Sequence, residues 1–381
     1  MASLISSRIL AAAAIGFLAW RGQLWAIPLS LIVPCLIAVQ PRRLTAASTA
    51  LVYYGTASLP VIAVSEVYWP SKGVLAIALW FIASTLLALP WVVFWTRQSA
   101  LKPFGATAAV LLSAVPPLCM VGWASPLVSA GVLFPGSAWF GIAAVAALPG
   151  LFIDRRTRIV ALLAASIVSI VLNAGSKPTN VPMGWESEMT HIHRSHQEAS
   201  LSDFFIEDRL QRIVSRSQAR FLVFPEGAVR HWTEATDAFW SPALDGTPKT
   251  VLLGAGQAIP GSSRYYNSVL ILGKEPHEPV HQRIPVPGGM WNPLRPKGTF
   301  AADLFAPGTV DVGGQRAAIL ICYEQLLAWP MLRSAGEHPT LLIAISNEAW
   351  TSATVVPRVQ RACARAWARL FGLPLISAIN S

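Results

Sequence analysis

Ala317-Ala318-Ile319-Leu320-Ile321-Cys322-Tyr323-Glu324 is a short apolar run that stops on a thiol, a phenol and a carboxylate. A continuous run of this length, rich in branched residues and bounded by polar ones, reads as a strand buried on both faces. The same punctuation appears twice more. Phe221–Phe224 runs into Pro225-Glu226-Gly227, and Leu341–Ile345 runs into Ser346-Asn347-Glu348-Ala349-Trp350. Thr250–Leu253 and Ser268–Leu272 are two further buried strands, and Leu201–Gln218 carries Phe204, Phe205, Leu210, Ile213 and Val214 at helical spacing behind Ser202 as an N-cap. Strands alternating with helical stretches predict two-layer α/β packing. Open α/β sheets place their ligand chemistry at the carboxyl ends of the strands.

A thiol there needs a base, because free cysteine is only a few per cent thiolate near neutrality. A carboxylate at the end of a neighbouring apolar strand has its pKa raised by desolvation and can take that proton. Glu226 and Cys322 are the candidate pair. A disulfide between Cys322 and Cys363 is the alternative use of the thiol, since these are the two cysteines outside the hydrophobic N-terminal half.

Upstream, the chain changes character. Its 381 residues are 13% charged with a mean hydropathy of +0.50, against about 25% charged in soluble domains. Residues 1–175 hold ten Lys or Arg and two acids; the remainder holds nineteen and seventeen, so the net charge of +10 belongs mostly to the first half. A basic excess points to nucleic acid or to anionic membrane. Here it lies between hydrophobic runs, so membrane is the reading and no direct nucleic-acid contact is expected.

The runs are Leu4–Trp20, Leu24–Val39, Thr45–Val64, Val74–Trp95, Gly105–Trp123, Leu127–Leu151 and Ile159–Asn173. A span needs roughly 17–25 apolar residues, and these predict a polytopic α-helical bundle of about seven spans. A cleaved signal peptide competes for the first run, but continuous membrane segments follow it. With the N-terminus in the cytoplasm, Arg8, Arg42, Arg43, Arg97, Lys102, Arg155, Arg156 and Arg158 fall inside, and Arg21 and Lys72 outside. This satisfies the positive-inside rule and puts everything after about Asn173 on the outer side. Tyr68, Trp69 and Trp123 stand near span ends, where aromatic residues suit the interface. The expected organisation is a transmembrane domain over 1–175, a linker over 176–200 and the catalytic-type domain over 201–381.

Together the quoted stretches resemble the nitrilase, or carbon–nitrogen hydrolase, superfamily, and within it the apolipoprotein N-acyltransferases. The matching segments are Phe221-Leu-Val-Phe-Pro-Glu226, Tyr265-Tyr-Asn-Ser268, Val286-Pro-Gly-Gly289, Ile319-Leu-Ile-Cys-Tyr-Glu324 and Ile345-Ser-Asn-Glu-Ala-Trp350. The likeness is nearer still to the TraB-type conjugal transfer proteins. It implies an αββα sandwich, an acyl-thioester mechanism without cofactor or metal, and an inner-membrane protein with its hydrolase-like domain in the periplasm. Glu226 is implied as base and Cys322 as nucleophile. Glu324 is the neighbouring acid, and Tyr323, Asn347 and Trp350 belong to the pocket. Implied partners are membrane phospholipid as acyl source, a lipoprotein or other amine acceptor, and conjugation machinery.

The sequence departs from that pattern in two places. The family lysine stands four residues before a Val-Pro-Phe-Gly-Glu stretch; here that position falls on Gln282, with Arg283 one residue off, and Met290 replaces the glutamate. Gln282 brings a donor without charge; Arg283 brings charge but does not readily share a proton. Arg283, Lys274 and Lys297 are the candidate cationic stand-ins. The sandwich is also expected to be C-terminally trimmed, since the family continues to a last span where this chain reaches Ser381.

Three features have two readings each. Trp232, Trp240 and Trp291 are either lipid-facing loop residues or ordinary packing. His191, His193 and His196 are either a metal set or solvated side chains, and they lack a further ligand at telling spacing. Arg358, Arg361, Arg365 and Arg369, on one face of a helix over Pro357–Phe371, either meet phospholipid headgroups or are simply solvated. Two functions follow from different classes: an acyltransferase or amidase using Cys322, or a catalytically degenerate membrane scaffold of a conjugation apparatus. A transporter rests on span count alone.

Overall fold

A computed structural model describes the chain except Met1, Arg155 and residues 193–198 and 295–296. His193 and His196 lie outside the described residues, so the histidine set is not placed as a group. The chain forms two compact units. One comprises residues 1–178, 326–329 and 353–372, the other 179–325, 330–352 and 373–381.

The first unit is helical. Its N-terminal part contains α1 (Ala2–Ala19), α2 (Ile32–Ala38), α3 (Arg43–Ala57), α4 (Pro60–Tyr68), α5 (Gly73–Val93), α6 (Lys102–Ser113), α7 (Ala130–Leu133), α8 (Trp139–Ile153) and α9 (Arg158–Gly175). The seven hydrophobic runs do not become seven long helices. Among the described residues, α5 and α9 alone are long and apolar enough to cross a membrane, with α3 and α4 a third case, as a pair bent by 51°. Proline explains the shortfall, because it removes the N–H that would continue a helix. The second run is a 3₁₀ stretch, Leu24–Leu31 around Pro28, followed by α2. The fifth ends as α6 at Ser113, before Pro116 and Pro117. The sixth is split by Phe134-Pro135-Gly136 into α7 and α8.

Helix α9 buries only Ala161, leaving Ile159, Val160, Leu163, Ile167, Ile170 and Val171 each more than 60% exposed or close to it. Such a surface is unfavourable in water.

The second unit is an α/β sandwich. Its elements are β1 (Trp185–Ser187), β2 (Met189–Thr190), α10 (Ala199–Arg216), β3 (Phe221–Val223), β4 (Val229–Trp232), α11 (Glu234–Leu244), β5 (Thr250–Ala258), β6 (Tyr265–Gly273), β7 (His277–His281), β8 (Thr309–Val312), β9 (Gln315–Ile321), α12 (Ala328–Ala335), β10 (Leu341–Asn347) and β11 (Leu375–Asn380). One sheet runs β1-β3-β5-β6-β7 with β4 also on β5; the other runs β2-β11-β10-β9-β8. Strands β1, β3 and β5 pair in parallel, as do β2, β11, β10 and β9, while β6, β7 and β8 are antiparallel.

Both faces of each central strand are covered. Val223, Leu252, Val269 and Ile271 of one sheet meet Ile319, Ile321, Ile343 and Ile345 of the other. Their neighbours Leu222, Phe224, Val251, Leu253 and Leu270 turn outward to Leu210, Val214, Trp240 and Leu244 of α10 and α11. Burial on both faces is why these strands read as unbroken apolar runs.

The expected linker 176–200 is not merely a linker. Through β1 and β2 it supplies an edge strand to each sheet, too short to show an apolar period. The remaining helix, α13 (Val356–Phe371), lies within the helical unit rather than the sandwich. It seats where Gly131 of α7 leaves room: a Cβ on Gly131 would fall 1.8 Å from the Ala366 carbonyl oxygen.

Candidate active site

Four strand ends converge between the two sheets. Phe224 still pairs with Leu252 (N to O 2.8 Å), but Pro225 has no N–H to continue the ladder. The chain turns at Gly227, φ +65°, leaving Glu226 at the inner end of β3. Gly254 of β5 permits this turn, because a Cβ there would lie 2.3 Å from the Pro225 carbonyl oxygen. On the facing sheet β9 ends at Ile321, and Cys322 adopts φ +51° as the chain enters a 3₁₀ turn over Cys322–Leu326. That conformation costs a non-glycine residue about 1–2 kcal/mol and marks a side chain aimed by its backbone.

Glu226 and Cys322 are both buried, at 6% and 5% exposure, and the thiol hydrogen-bonds the carboxylate. The other donors to Glu226 are Asn267 Nδ2, 2.7 Å from Oε1, and the backbone N–H of Asn347, 2.9 Å from Oε2. Burial raises the Glu226 carboxyl above the usual carboxylate range; the thiol, the Asn347 N–H and the Asn267 amide oppose the rise, and the charge of Glu324 adds to it. Burial likewise pushes the Cys322 thiol well above its ordinary value. The charge of Glu226 and the hydrogen bond to it add to that rise, while the backbone N–H groups of Asn347 and Tyr323 favour the thiolate. The resting thiol therefore favours its protonated form, with the Glu226 carboxylate beside it.

Gln282, expected at the family's lysine position, is fully buried. Its Oε1 accepts from Asn267 Nδ2 at 2.8 Å, and its Nε2 donates to the Ile321 carbonyl oxygen, the one preceding Cys322, at 2.9 Å. One amide thus ties Glu226 and Gln282 together, a role for Asn267 that its place in a Tyr-Tyr-Asn-Ser stretch does not announce. The β5–β6 and β6–β7 registers put it there: Asn267 faces Gly256, and Ser268 pairs with His281, one residue before Gln282.

Arg283 does not stand in for the lysine. It is 1% exposed, with its backbone N donating to Glu324 Oε1 at 2.6 Å and its Nε to the same oxygen at 3.3 Å. Its Nη1 donates to Ser334 Oγ at 2.9 Å and its Nη2 to the Ile319 carbonyl oxygen at 3.1 Å. Glu324 also takes the N–H groups of Ile284 and Ile321, so the Arg283–Glu324 pair braces the turn that carries Cys322. The other stand-ins lie elsewhere. Lys274 follows β6 at the end of the sheet opposite Glu226, its N–H on the Lys249 carbonyl, and Lys297 is exposed.

Asn347, half-buried, is held from the side by Asn380 of β11, whose Nδ2 donates to its Oδ1 at 3.0 Å; the two are partners in the β10–β11 register. Tyr323 is buried and Trp350 half-buried. The tryptophans divide. Trp240, open to either a lipid-facing or a packing role, takes the second: it is 1% exposed on α11 and donates to Glu207 Oε2 at 3.1 Å. It is a core residue because α11 forms where a loop was expected. Trp232 is half-buried on β4 and, with Trp240, lines a cleft of about 860 Å³ beside α11. Trp291 is half-buried and closes the Val286–Trp291 turn, accepting from Gly288 N at 2.8 Å.

The four cysteines are free thiols. Among the described residues, no group of three His, Cys, Asp or Glu is arranged to hold a metal ion.

No family model matches the chain. Conjugal transfer proteins TraB of Sinorhizobium fredii and Agrobacterium fabrum are 32% and 30% identical to it over 390 and 391 residues, which is 98% of this chain and 97% and 92% of theirs. An apolipoprotein N-acyltransferase of Nitrosomonas europaea is 23% identical over 205 residues, 50% of this chain and 38% of that protein. Among solved structures, an amidase of the nitrilase superfamily from Nesterenkonia AN1 aligns with a TM-score of 0.38 at 15% identity, covering 52% of this chain and 78% of that one.

Proposed function

We propose, for a chain that belongs to the TraB family of conjugal transfer proteins, a membrane-embedded acyl transfer through a thioester on Cys322. The observation that carries this is the buried hydrogen bond between the Cys322 thiol and the Glu226 carboxylate. Glu226 accepts the thiol proton as the sulfur attacks an acyl ester carbonyl. The backbone N–H of Tyr323, beside the sulfur, stabilises the developing oxyanion. The C–S bond forms, the ester C–O bond breaks, and the leaving alcohol takes the proton from Glu226. An amine, or water, then attacks the thioester carbonyl and gives a proton to Glu226; the C–N or C–O bond forms, the C–S bond breaks, and that proton passes to sulfur to restore the thiol. Similarity to an N-acyltransferase favours phospholipid as the acyl source and an amine on a lipoprotein as acceptor. Similarity to TraB proteins favours a role in conjugal transfer.

The membrane part of the proposal is a multi-pass bundle in the bacterial inner membrane with the sandwich in the periplasm. The exposed apolar surface of α9 supports it. So does the seating of α13, which meets Gly22, Gly131 and Asn173. These residues fall at or near run ends that the charge asymmetry assigns to the outer side, including the short runs that reach across only as broken helices.

A second reading is a scaffold without chemistry. Gln282 favours it, since a neutral amide stands where the acyltransferases carry a cation, and Arg283 is committed to Glu324. Intact-mass measurement after incubation with phospholipid separates the two. A fatty-acyl increment that hydroxylamine removes, and that Cys322→Ala lacks, establishes the thioester. A folded protein with a free thiol and no adduct establishes the scaffold.

A further inference from the structure

We infer that the unburied edge of α13 is a binding strip for the headgroups of anionic phospholipid. The inference rests on the membrane part of the proposal above and not on the Cys322 chemistry.

Eleven of the sixteen residues of α13 are buried. The five that are not are Arg358, Arg361, Arg365, Arg369 and the terminal Phe371, and the helix contains no acid. At spacings of three and four residues the arginines form one line along the helix. Their roles differ. Arg369 is an anchor, with its Nε on the Gly131 carbonyl oxygen at 3.1 Å and its Nη2 on Asn173 Oδ1 at 2.6 Å. Arg358 and Arg365 are exposed, and among the described residues no carboxylate pairs with either. Arg361, half-buried between them, continues the line.

The position of this strip decides its partner. Helix α13 is bolted to the bundle by backbone bonds from Gly136 N to the Arg369 oxygen (2.8 Å) and Ala138 N to the Leu370 oxygen (2.9 Å), and Trp139 packs edge-on against Phe371. At its other end the Arg358 Cβ lies 2.4 Å from where a Gly22 Cβ would stand, next to Arg21, itself stacked on Phe17. Near these two ends stand Trp25, 72% exposed, and Trp139 and Phe140, 45% and 86% exposed. Exposed aromatic residues in a helical unit with lipid-type surfaces belong at headgroup level. The exposed guanidinium groups of Arg358 and Arg365 at that level meet phosphates, which guanidinium groups bind through paired N–H donors. Anionic headgroups add net charge complementarity at about fivefold in affinity per arginine.

The test uses the purified full chain in neutral detergent, titrated with phosphatidylglycerol, phosphatidylcholine or soluble glycerol phosphate. Bound lipid is counted by native mass spectrometry, and single-stranded DNA binding is followed by fluorescence anisotropy. The expected result is a preference for phosphatidylglycerol that falls about 25-fold in Arg358→Gln/Arg365→Gln and returns in Arg358→Lys/Arg365→Lys. Cys322→Ala should retain the preference, which keeps this result separate from the fate of the thioester. Equal binding of the two lipids, a preference unchanged in the glutamine variant, competition by glycerol phosphate at equal concentration, or DNA binding lost in the same variant would each overturn the inference. If the glutamine variant fails to fold, the lysine variant and Arg365→Gln alone, with about a fivefold loss expected, decide it.

Discussion

Asn267 donates from Nδ2 to Glu226 Oε1 at 2.7 Å, and the same amide reaches Gln282 Oε1 at 2.8 Å. The proposed base is thus tied to a neutral relay rather than to a cation. The Asn267 amide opposes the rise of Glu226 only in part, and burial still raises both Glu226 and Cys322. Glu226 can still accept a proton from sulfur, but an unpaired thiolate has little to stabilise it beyond two backbone N–H groups.

Gln282→Lys should therefore sharpen the site. A cation about a hydrogen bond from Asn267 favours both the carboxylate and the thiolate, and an opposite charge at such range shifts a pKa by about 1–3 units. Cys322 alkylation by iodoacetamide at neutral pH should speed up tenfold or more, read by mass spectrometry of the labelled peptide. An unchanged rate would mean that burial, not the missing charge, controls the thiol.

Asn267→Ala removes the donor that Glu226 and Gln282 share, leaving two buried oxygens each short of a partner. Each such loss costs about 1–3 kcal/mol. The melting temperature should fall, and Asn267→Asp should cost more, because it sets a second carboxylate against Glu226. A melting temperature equal to that of the native chain for both variants would remove Asn267 from the relay.

Breaking the Arg283–Glu324 pair should be worse than deleting it. Both side chains are 1% exposed. Arg283→Met strands a buried carboxylate, for which about 3–5 kcal/mol is typical, whereas replacing both partners with apolar residues is often close to neutral. Thermal melts of Arg283→Met, Glu324→Leu and the double variant test this. Additive losses would mean the two groups do not support one another.

Stability should fall as pH rises through the Glu226 transition. Its carboxyl is raised in the folded chain, so the fold holds that proton more tightly than the unfolded chain does. The stabilising contribution is complete below the ordinary value of 4.5 and is lost as pH climbs from there through the raised value. Alkylation of Cys322 runs the opposite way, accelerating over the same interval as the carboxylate becomes free to accept the thiol proton. Melting curves from pH 4 to 9, for the native chain and Glu226→Gln, should show a steeper decline as pH rises above 4.5 in the native chain; parallel curves refute the assignment.

Gly131→Ala should loosen α13 from the helical unit, since its Cβ would fall on the Ala366 carbonyl. Limited proteolysis in detergent should then cut within 356–371, a stretch protected in the native chain. Unchanged protection would show that the backbone yields without cost.

What the sequence determined by itself was which polar residues stand at the strand ends. Cys322, Glu226 and Asn347 each follow an apolar run too short for a helix, and such runs become strands buried on both faces whatever else the chain does. The excess of base over acid in residues 1–175 and the arginine line of α13 were likewise readable, because charge and helical period are local properties. Only the tertiary structure decided which polar groups meet. Asn267 joins Glu226 to Gln282 through the registers of β5, β6 and β7; Arg283, one residue from Gln282, turns to the opposite side because successive strand-end side chains alternate. Proline-broken runs became short helices rather than seven long ones, and Trp240 went inward when α11 formed. Register, side-chain direction and helix breaking depend on partners distant in the chain, and no local pattern encodes a distant partner.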